Sequence, residues 1–262
     1  MNNISVSIIT INYNNAIGLQ KTIESVVNQQ CKNFEYILID GDSTDGGLEI
    51  IKKYQSNLTY WISEPDTGIY NAMNKGIKQA KGDYVLFLNS GDALNGKIAL
   101  QYFINHENFK GDIIYGDYKF DEGEKIYPDV LTPLFFIKSS LPHQSTFFKR
   151  SVFDEMGLYD ETYKIVGDRA FYINCFLSGK FKFTHIKYPL TIYDLTGLSN
   201  AKEYNTLKKR EDEAVFEKYY GIYYEDYMKI LQLERELSLV KRNSFKGILK
   251  RIIKRIIKRL KI

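Results

Sequence analysis

The first ninety residues alternate short apolar runs with stretches of helical periodicity. Runs rich in β-branched and aromatic residues predict strands at 5–11, 36–39, 58–62 and 84–88. Between these runs, apolar residues recur every three or four positions and predict helices over 17–29, over 47–55 and between Gly68 and Gly76. Strands that are apolar throughout and alternate with helices are typical of a mostly parallel sheet covered on both faces.

The pattern changes in the second half of the chain. The expected elements there are a helix over 97–106, strands over 112–117 and 181–186, an antiparallel element at 145–148, and helices over 151–156 and 169–177. From residue 203 the chain is predicted to be helical to its end, with breaks near Gly221 and Asn243-Ser244. We therefore expect an α/β domain over 1–202, with halves at 1–95 and 96–202, followed by a C-terminal helical extension over 203–262.

The length and composition favour one sizeable core. The 262 residues are 44% hydrophobic and 15% aromatic, as in packed globular proteins. The two cysteines, Cys31 and Cys175, lie far apart without metal-like spacing, which indicates reduced thiols in a cytosolic protein. The N-terminal segment has no basic region before its apolar run, so we interpret it as a first strand and not as a signal peptide.

Charge is divided unevenly along the chain. Residues 241–262 hold ten of the 36 basic residues and no acid, which leaves 26 basic and 32 acidic residues, a net charge of −6, in 1–240. In 244–262, pairs of isoleucine and leucine alternate with Lys and Arg at near-helical spacing, and this pattern predicts a basic amphipathic helix on an anionic membrane surface. A helix packed on the acidic body, or a coiled-coil partner, is the alternative. Nucleic-acid binding is not favoured, because the body is acidic.

Carboxylates follow the predicted strands at one edge of the sheet. Asp40, Asp66 and Asp92 each lie in a loop after a strand, and Asp168 opens a later helix. In open α/β sheets, ligands bind at the carboxyl edge of the strands. Each acid alone is compatible with an ordinary turn or helix cap. Like charges gathered at one edge, however, destabilise the fold unless a cation or hydrogen-bond donors lie between them.

Four motifs in this order resemble those of family 2 glycosyltransferases. They are Val6-Ser7-Ile8-Ile9 with Tyr13-Asn14, the segment from Ile39 to Gly46, the segment from Asp66 to Gly76, and the segment from Gly82 to Leu88 with Asp92. The third is similar to a subgroup associated with bacterial O-antigen and capsule synthesis. The resemblance covers about residues 4–200. It implies the GT-A fold, a nucleotide-sugar donor, a divalent metal ion and inversion at the anomeric carbon.

The resemblance also implies roles for single residues. Asp40 would accept a hydrogen bond from a nucleobase N–H, with Ile11 and Asn12 lining the base pocket. Asp92 matches the last acid of the family's D-x-D metal motif and would hold Mg²⁺ or Mn²⁺ against the diphosphate, as suits hard cations. The other residues expected around the nucleotide sugar are Asp42, Asp66, Asn74, Asn89 and Ser90.

The metal motif departs from that of many relatives. Asn89 and Gly91 stand at its earlier acidic positions, so Asp92 is its single carboxylate. His143 and Gln144, in Pro142-His143-Gln144, are candidate contacts for the diphosphate or the acceptor. A purely structural role for His143 is the alternative.

Asp168 falls where the family's general base lies. In an inverting transfer it would take the proton of the acceptor hydroxyl as that oxygen attacks the anomeric carbon. The alternative is a helix N-cap with Arg169 as its ion-pair partner.

These observations predict an inverting glycosyltransferase at the cytoplasmic face of the membrane. By family preference the donor is a UDP-sugar, and the acceptor is a hydroxyl of a lipid-linked saccharide in surface polysaccharide synthesis. The alternatives are a sugar-phosphate nucleotidyltransferase and a non-enzymatic membrane or nucleic-acid adaptor. The chain lacks the glycine- and arginine-rich phosphate loop of the former near its N-terminus. The sequence indicates neither the sugar nor the oligomeric state.

Overall fold

A computed structural model describes residues 4–195, 197, 202–244 and 248. The strands are β1 (Val6–Asn12), β2 (Phe34–Asp40), β3 (Tyr60–Ser63), β4 (Tyr84–Phe87), β5 (Ala93–Leu94), β6 (Ile113–Phe120), β7 (Gly123–Lys125), β8 (Thr146–Lys149) and β9 (Phe183–Ile192). The helices are α1 (Ala16–Val27), α2 (Gly47–Tyr54), α3 (Ile69–Gln79), α4 (Ala99–Ile104), α5 (Pro133–Lys138), α6 (Ser151–Met156), α7 (Gly167–Leu177), α8 (Asn205–Tyr220) and α9 (Tyr224–Asn243).

The first half of the domain is the parallel α/β unit that the sequence predicts. Its strands lie in the order β3-β2-β1-β4, and all neighbours are parallel. β1 is buried at every position, because strands flank it on both sides and helices lie over the sheet. The helical connections bring all four strands to the same carboxyl edge.

Beyond β4 the sheet changes direction. β8 pairs antiparallel with both β4 and β6, β9 runs parallel to β6, and the two-residue β5 closes the far end against β9. β7 forms a hairpin with β6. The α/β class with a C-terminal helical region is confirmed. The unbroken run of parallel pairs ends at β4, and among the later pairs only β6 with β9 is parallel, because after β4 the chain no longer alternates regularly between strand and helix.

An aromatic cluster joins the two halves of the domain. Phe87 of β4 contacts Phe148 of β8 and Phe153 of α6, with ring centroids 6.4 and 6.3 Å apart. Phe171 of α7 stacks on Phe153, at 5.2 Å. All four rings are buried, and burial of aromatic side chains contributes strongly to core stability. This packing fixes the position of α7, and of Asp168 in its first turn, relative to β4 and β8.

Helix and strand positions were predicted better than short irregular elements. α6 has the predicted bounds, and β9 extends to Ile192, six residues beyond the predicted end at residue 186. β5, β7 and α5 were not predicted. Each is short, and β5 and β7 exist only through pairing with a distant or a hairpin strand, which local periodicity does not record.

The described C-terminal part consists of α8 and α9. Contacts divide the chain into a unit at 1–215 and a second unit at 216–262, with the boundary inside α8. The boundary expected at residue 202 stays a prediction. In the part of the chain that the structure describes, no helix combines the length and the apolarity that crossing a membrane requires. Apart from Ser244 and Ile248, the predicted amphipathic helix over 244–262 lies outside the described residues.

Candidate active site

The register of the parallel strands brings the predicted residues to one edge. Asn12, the last residue of β1, lies opposite Asp40, the last residue of β2, and Asp40 lies opposite Ser63 at the end of β3. On the other side of β1, the segment after β4 continues beside it, since the backbone N–H of Ser90 donates to the carbonyl of Ile11 at 3.1 Å. Four loops therefore meet at this edge.

Asp40 is fully buried and bound by four donors of the protein. Asn12 Nδ2 and Ser43 Oγ donate to its Oδ1 at 2.7 and 2.6 Å. The Ser43 N–H and Ser63 Oγ donate to its Oδ2 at 3.0 and 2.6 Å. Burial raises the pKa of this carboxyl, but the hydrogen bonds outweigh burial and the net pKa is lowered. The ionised side chain of Asp40 thus holds the loop after β2 in place. Its contact with a nucleobase stays a prediction.

Asp42 and Asp66 lie beside this network. Asp42 is exposed and has a φ of 65°, a left-handed conformation that is uncommon outside glycine. Asp66 accepts a hydrogen bond from the N–H of Gly68 at 2.9 Å, and its other oxygen approaches Gly41 so closely that a Cβ there would lie 2.5 Å away. The loops after β2 and β3 therefore touch, as the prediction of a shared site requires.

Ser90 links the loop after β4 to β1. Its Oγ donates to the carbonyl of Ile11 at 3.0 Å and to Oδ1 of Asn12 at 2.8 Å. Asn12 in turn donates to Asp40, so one chain of hydrogen bonds crosses three strand ends. Both Ile11 and Asn12 are buried.

Asp92 lies at the end of this edge and is 4% exposed. Its Oδ1 accepts a hydrogen bond from the backbone N–H of Asp194, which follows β9, at 2.9 Å. Burial raises the pKa of Asp92 to about 7, and the negative charge of Asp194 acts in the same direction. A Cβ on Gly91, whose φ is +105°, would clash with the carboxylate of Asp194. The missing side chain at Gly91 thus leaves room for the carboxylate of Asp194.

His143 connects the metal-motif loop to Asp168. Its Nε2 lies 3.1 Å from Asn89 Nδ2, and its Nδ1 lies 3.4 Å from Asp168 Oδ2. With the Asn89 amide as oriented, Nδ2 donates to Nε2, so the ring proton is on Nδ1 and donates to Asp168. The sequence prediction that His143 belongs to this site is consistent with its position between the two loops.

A protonated His143 fits the same surroundings. Burial lowers its pKa, but the hydrogen bond to Asp168 and the charges of Asp168 and Asp92 outweigh burial, so the net pKa is raised. Nε2 then also donates. Among the described residues, Asn89 Oδ1 is a buried oxygen without a hydrogen-bond partner. Half a turn of the Asn89 amide presents this oxygen to Nε2 and satisfies it.

Asp168 is held from three sides in the first turn of α7. The Tyr70 hydroxyl is shared between the carbonyl of Ile165, at 2.8 Å, and Asp168 Oδ1, at 3.2 Å, and the Arg169 N–H donates to the same Oδ1 at 2.8 Å. Burial raises its pKa, and the contacts with His143 outweigh burial and lower the net pKa below the usual value. Asp168 is therefore an ionised carboxylate near neutral pH, with 19% of its side chain exposed.

Asp168 is not the N-cap of α7. The N-cap of α7 is Val166, and Arg169 Nη1 forms its ion pair with Asp212 at 2.6 Å. The absence of a side chain at Gly167 makes room for Tyr70, since a Cβ on residue 167 would lie only 2.8 Å from the Tyr70 ring. The local structure places Asp168 toward His143, with Tyr70 behind it.

Two of the predicted site residues, Asn74 and Gln144, are buried. Asn74, 2% exposed, donates to the carbonyl of Tyr159 at 2.9 Å and to Glu161 at 2.8 Å, and accepts from the Tyr159 N–H at 3.0 Å. These contacts tie α3 to the loop before α7, so Asn74 has a structural task and its contact with the donor stays a prediction. Gln144 is buried next to His143 in a 3-10 turn.

Sequence reasoning missed three polar residues of the site. Ser43 and Ser63 hold Asp40, and Asp194 covers Asp92. Ser43 lies inside the quoted motif, so its spacing carried a signal. Asp194 carried none, because its position depends on the pairing of β5 with β9, about a hundred residues apart in the chain.

The fold and this edge define a class of protein that comparison with known sequences confirms. The chain belongs to glycosyl transferase family 2, whose model matches residues 7–158. An uncharacterized glycosyltransferase of Mycobacterium tuberculosis is 32% identical over 213 residues, which are 76% of this chain and 78% of the relative. The poly(ribitol-phosphate) beta-N-acetylglucosaminyltransferase TarP of Staphylococcus aureus is 32% identical over 195 residues, 67% of this chain and 58% of TarP.

Solved structures show the same fold. S. aureus TarS 1–349 in complex with UDP-GlcNAc has a TM-score of 0.65 at 21% identity, covering 92% of this chain and 75% of that one. Mannosyltransferase PcManGT of Pyrobaculum calidifontis, in complex with GDP-Man and Mn²⁺, has a TM-score of 0.57 at 16% identity, covering 81% and 63%. The protein is therefore a glycosyltransferase with the GT-A fold, and the nucleotidyltransferase and adaptor alternatives are set aside.

Proposed function

We propose that this protein transfers a sugar, with inversion, from a UDP-sugar to a hydroxyl of a lipid-linked saccharide in bacterial surface polysaccharide synthesis. The observation that carries the proposal is the contact chain Asp168–His143–Asn89, which joins an ionised carboxylate to the loop that ends in Asp92. The donor class is supported by TarS in complex with UDP-GlcNAc and with UDP. The acceptor class is supported by relatives whose names refer to poly(ribitol-phosphate) and to PGL/p-HBAD biosynthesis.

In the proposed reaction Asp168 accepts the acceptor's proton. The acceptor oxygen attacks the anomeric carbon, the bond from that carbon to the diphosphate oxygen breaks, and its electron pair leaves with the nucleoside diphosphate. The proton of the attacking hydroxyl moves to Asp168, which is ionised because His143 stabilises its charge. Tyr70 and the Arg169 N–H hold the carboxylate in one orientation. Attack from the side opposite the leaving group gives inversion.

The residues at Asp92 fit a divalent cation. The carboxylate of Asp194 lies against Gly91, next to Asp92 in the chain, and oxygen ligands of this kind suit Mg²⁺ or Mn²⁺. Among the described residues no group of three His, Cys, Asp or Glu side chains is arranged to hold a metal alone. The donor's phosphates would therefore complete the ligand set. When bound, the cation would neutralise the negative charge of the leaving diphosphate.

Replacement of the base tests the proposal. We expect Asp168→Asn to lower transfer from a UDP-sugar by roughly 10²–10⁴-fold, the usual range for a general base, while the affinity for UDP changes by less than about threefold. Transfer is followed by UDP release, and UDP affinity by titration calorimetry. Asp154→Asn, an exposed position in α6, is the matched control and should keep full activity. Full transfer by folded Asp168→Asn contradicts the assignment.

We also propose that the chain works as a peripheral protein on the inner face of the cell membrane, held by residues 244–262. The support is the sequence of that segment, in which lysines and arginines alternate with pairs of aliphatic residues. Such helices lie in the interface between lipid head groups and acyl chains. A lipid-linked acceptor would then be presented to the site at the membrane surface.

A further inference from the structure

From Ile230 onward, α9 presents an apolar stripe that none of the described residues covers. The first turns of this helix pack on the end of α8, where Tyr224 contacts Phe216 and Tyr227 contacts Tyr220. Every position over 232–243 is exposed. Isolated helical segments of about 12 residues are only marginally stable in water, and most gain their stability from packing of one face. We therefore expect this segment to be stabilised by packing against a partner.

The exposed apolar residues follow a heptad. Ile230, Leu233, Leu237 and Val240 recur at spacings of three, four and three residues, with exposures of 41%, 63%, 53% and 67%. These are successive core positions of a coiled coil, and they form one narrow stripe along the helix. The half-buried face formed by Tyr224, Tyr227 and Leu231 points in a different direction. The stripe is thus a second face of α9, separate from the one that packs within the chain.

The charges beside the stripe select a second copy of the same helix. In a parallel, in-register coiled coil, the residue just before the first core position of each heptad faces the residue five positions later on the other helix. Lys229 then faces Glu234 of the other copy, and Glu236 faces Lys241, so each such pair has opposite signs. The antiparallel arrangement of the same four apolar residues instead brings Glu234 to Glu234 and Glu236 to Glu236.

A membrane is a poorer occupant of this face. α9 carries four acidic residues, Glu225, Asp226, Glu234 and Glu236, and four basic ones, Lys229, Arg235, Lys241 and Arg242, so its net charge is zero. Helices that bind anionic lipid surfaces are rich in Lys and Arg on their polar face. We propose that two copies of this chain associate through a parallel, in-register coiled coil of α9, with Ile230, Leu233, Leu237 and Val240 in its core.

The mass in solution tests this proposal on the full chain. Sedimentation equilibrium over a range of protein concentrations should give twice the chain mass of 30.6 kDa at the upper end. Leu237→Asp should give a monomer whose circular dichroism spectrum still shows a folded α/β domain. Leu239→Asp is the matched control: it makes the same change on the same helix at 46% exposure, on the side opposite the stripe, and should leave the dimer intact.

Charge reversal and crosslinking test the orientation. Glu236→Lys should weaken the dimer at low salt, and the double variant Glu236→Lys with Lys241→Glu should restore it. In a Cys31→Ser background, Leu237→Cys should form an intermolecular disulfide, since only the parallel register places residue 237 opposite itself. A monomeric wild-type chain, equal dissociation by Leu237→Asp and Leu239→Asp, or a dimer that is lost on deletion of 244–262 but insensitive to Leu237→Asp would overturn the proposal.

Discussion

At the scale of single residues, the site depends on how each carboxylate is surrounded. Asp40 accepts four hydrogen bonds from the protein and has a lowered pKa, whereas Asp92 accepts a hydrogen bond from the backbone N–H of Asp194 and has a pKa raised by burial to about 7. Asp168 lies between these cases, because burial is outweighed by His143. Identical side chains therefore have different surroundings: Asp40 is fixed by hydrogen bonds within the loop after β2, whereas Asp92 and Asp168 are the proposed metal ligand and general base.

The contact between His143 and Asp168 predicts a change in the pH dependence of transfer. His143 lowers the pKa of Asp168, so His143→Gln should raise that pKa and move the acid limb of the kcat/KM profile to higher pH. His106→Gln, two residues after the end of α4, is the control and should leave the pH profile unchanged. Measurement of kcat/KM from pH 5 to 8 checks this. An unchanged acid limb in a folded His143→Gln variant would show that His143 does not act on Asp168.

The sequence identified the acids of the site better than their surroundings. Asp40, Asp92 and Asp168 were placed correctly at strand or helix ends, because turn glycines and apolar runs mark those ends locally. The partners of Asp168 were not predicted, since Tyr70 and His143 reach it across 98 and 25 residues of chain. Contacts of this range depend on the packing of α3, α7 and the 3-10 turn, which periodicity within one element cannot record.

At the scale of elements, β9 fixes the segment before α5. His185 of β9 lies between two aspartates: its Nε2 is 3.0 Å from Asp117 of β6, and its Nδ1 is 2.7 Å from Asp129. The ring also stacks on Tyr115, at 5.0 Å. Because both ring nitrogens face carboxylates, both contacts are satisfied only by the imidazolium. Burial lowers the pKa of His185, and the two aspartates outweigh burial, so the net pKa is raised.

This arrangement predicts stability that depends on pH. A group whose pKa is raised on folding stabilises the folded state fully below its unfolded pKa, about 6.5 for His, and loses that contribution as pH rises through the folded value. We expect His185→Gln to lower the free energy of unfolding by about 1–3 kcal/mol at pH 6, and by less at pH 9. Urea denaturation at both values measures the difference. An equal effect at pH 6 and pH 9 contradicts the assignment.

At the scale of the whole chain, the basic charge is concentrated at the C-terminus. Each Lys or Arg near an anionic bilayer contributes about 1 kcal/mol at most, and this attraction is screened by salt. We therefore expect the full chain to bind vesicles that contain phosphatidylglycerol, less so at high salt, and to leave vesicles of phosphatidylcholine alone. Deletion of 244–262 should abolish this binding without loss of transfer to a soluble acceptor.

Vesicle flotation gives the measurement, and duplex DNA provides a second comparison. Binding of the variant without residues 244–262 to the same vesicles, or equal binding of the full chain to duplex DNA, would contradict a membrane role for the segment. The proposed coiled coil of α9 would double the number of tails on one surface and so strengthen attachment.

The two-residue strand β5 has a consequence for dissecting the enzyme. By sequence it belongs to the predicted nucleotide-sugar half, yet it pairs with β9. Asp194, two residues after the end of β9, supplies the N–H that binds Asp92. A fragment that stops at residue 95 would uncover Asp92 and leave β5 unpaired. The predicted donor half over 1–95 is thus not a separable module, and an exchange of this segment between relatives would have to include β9.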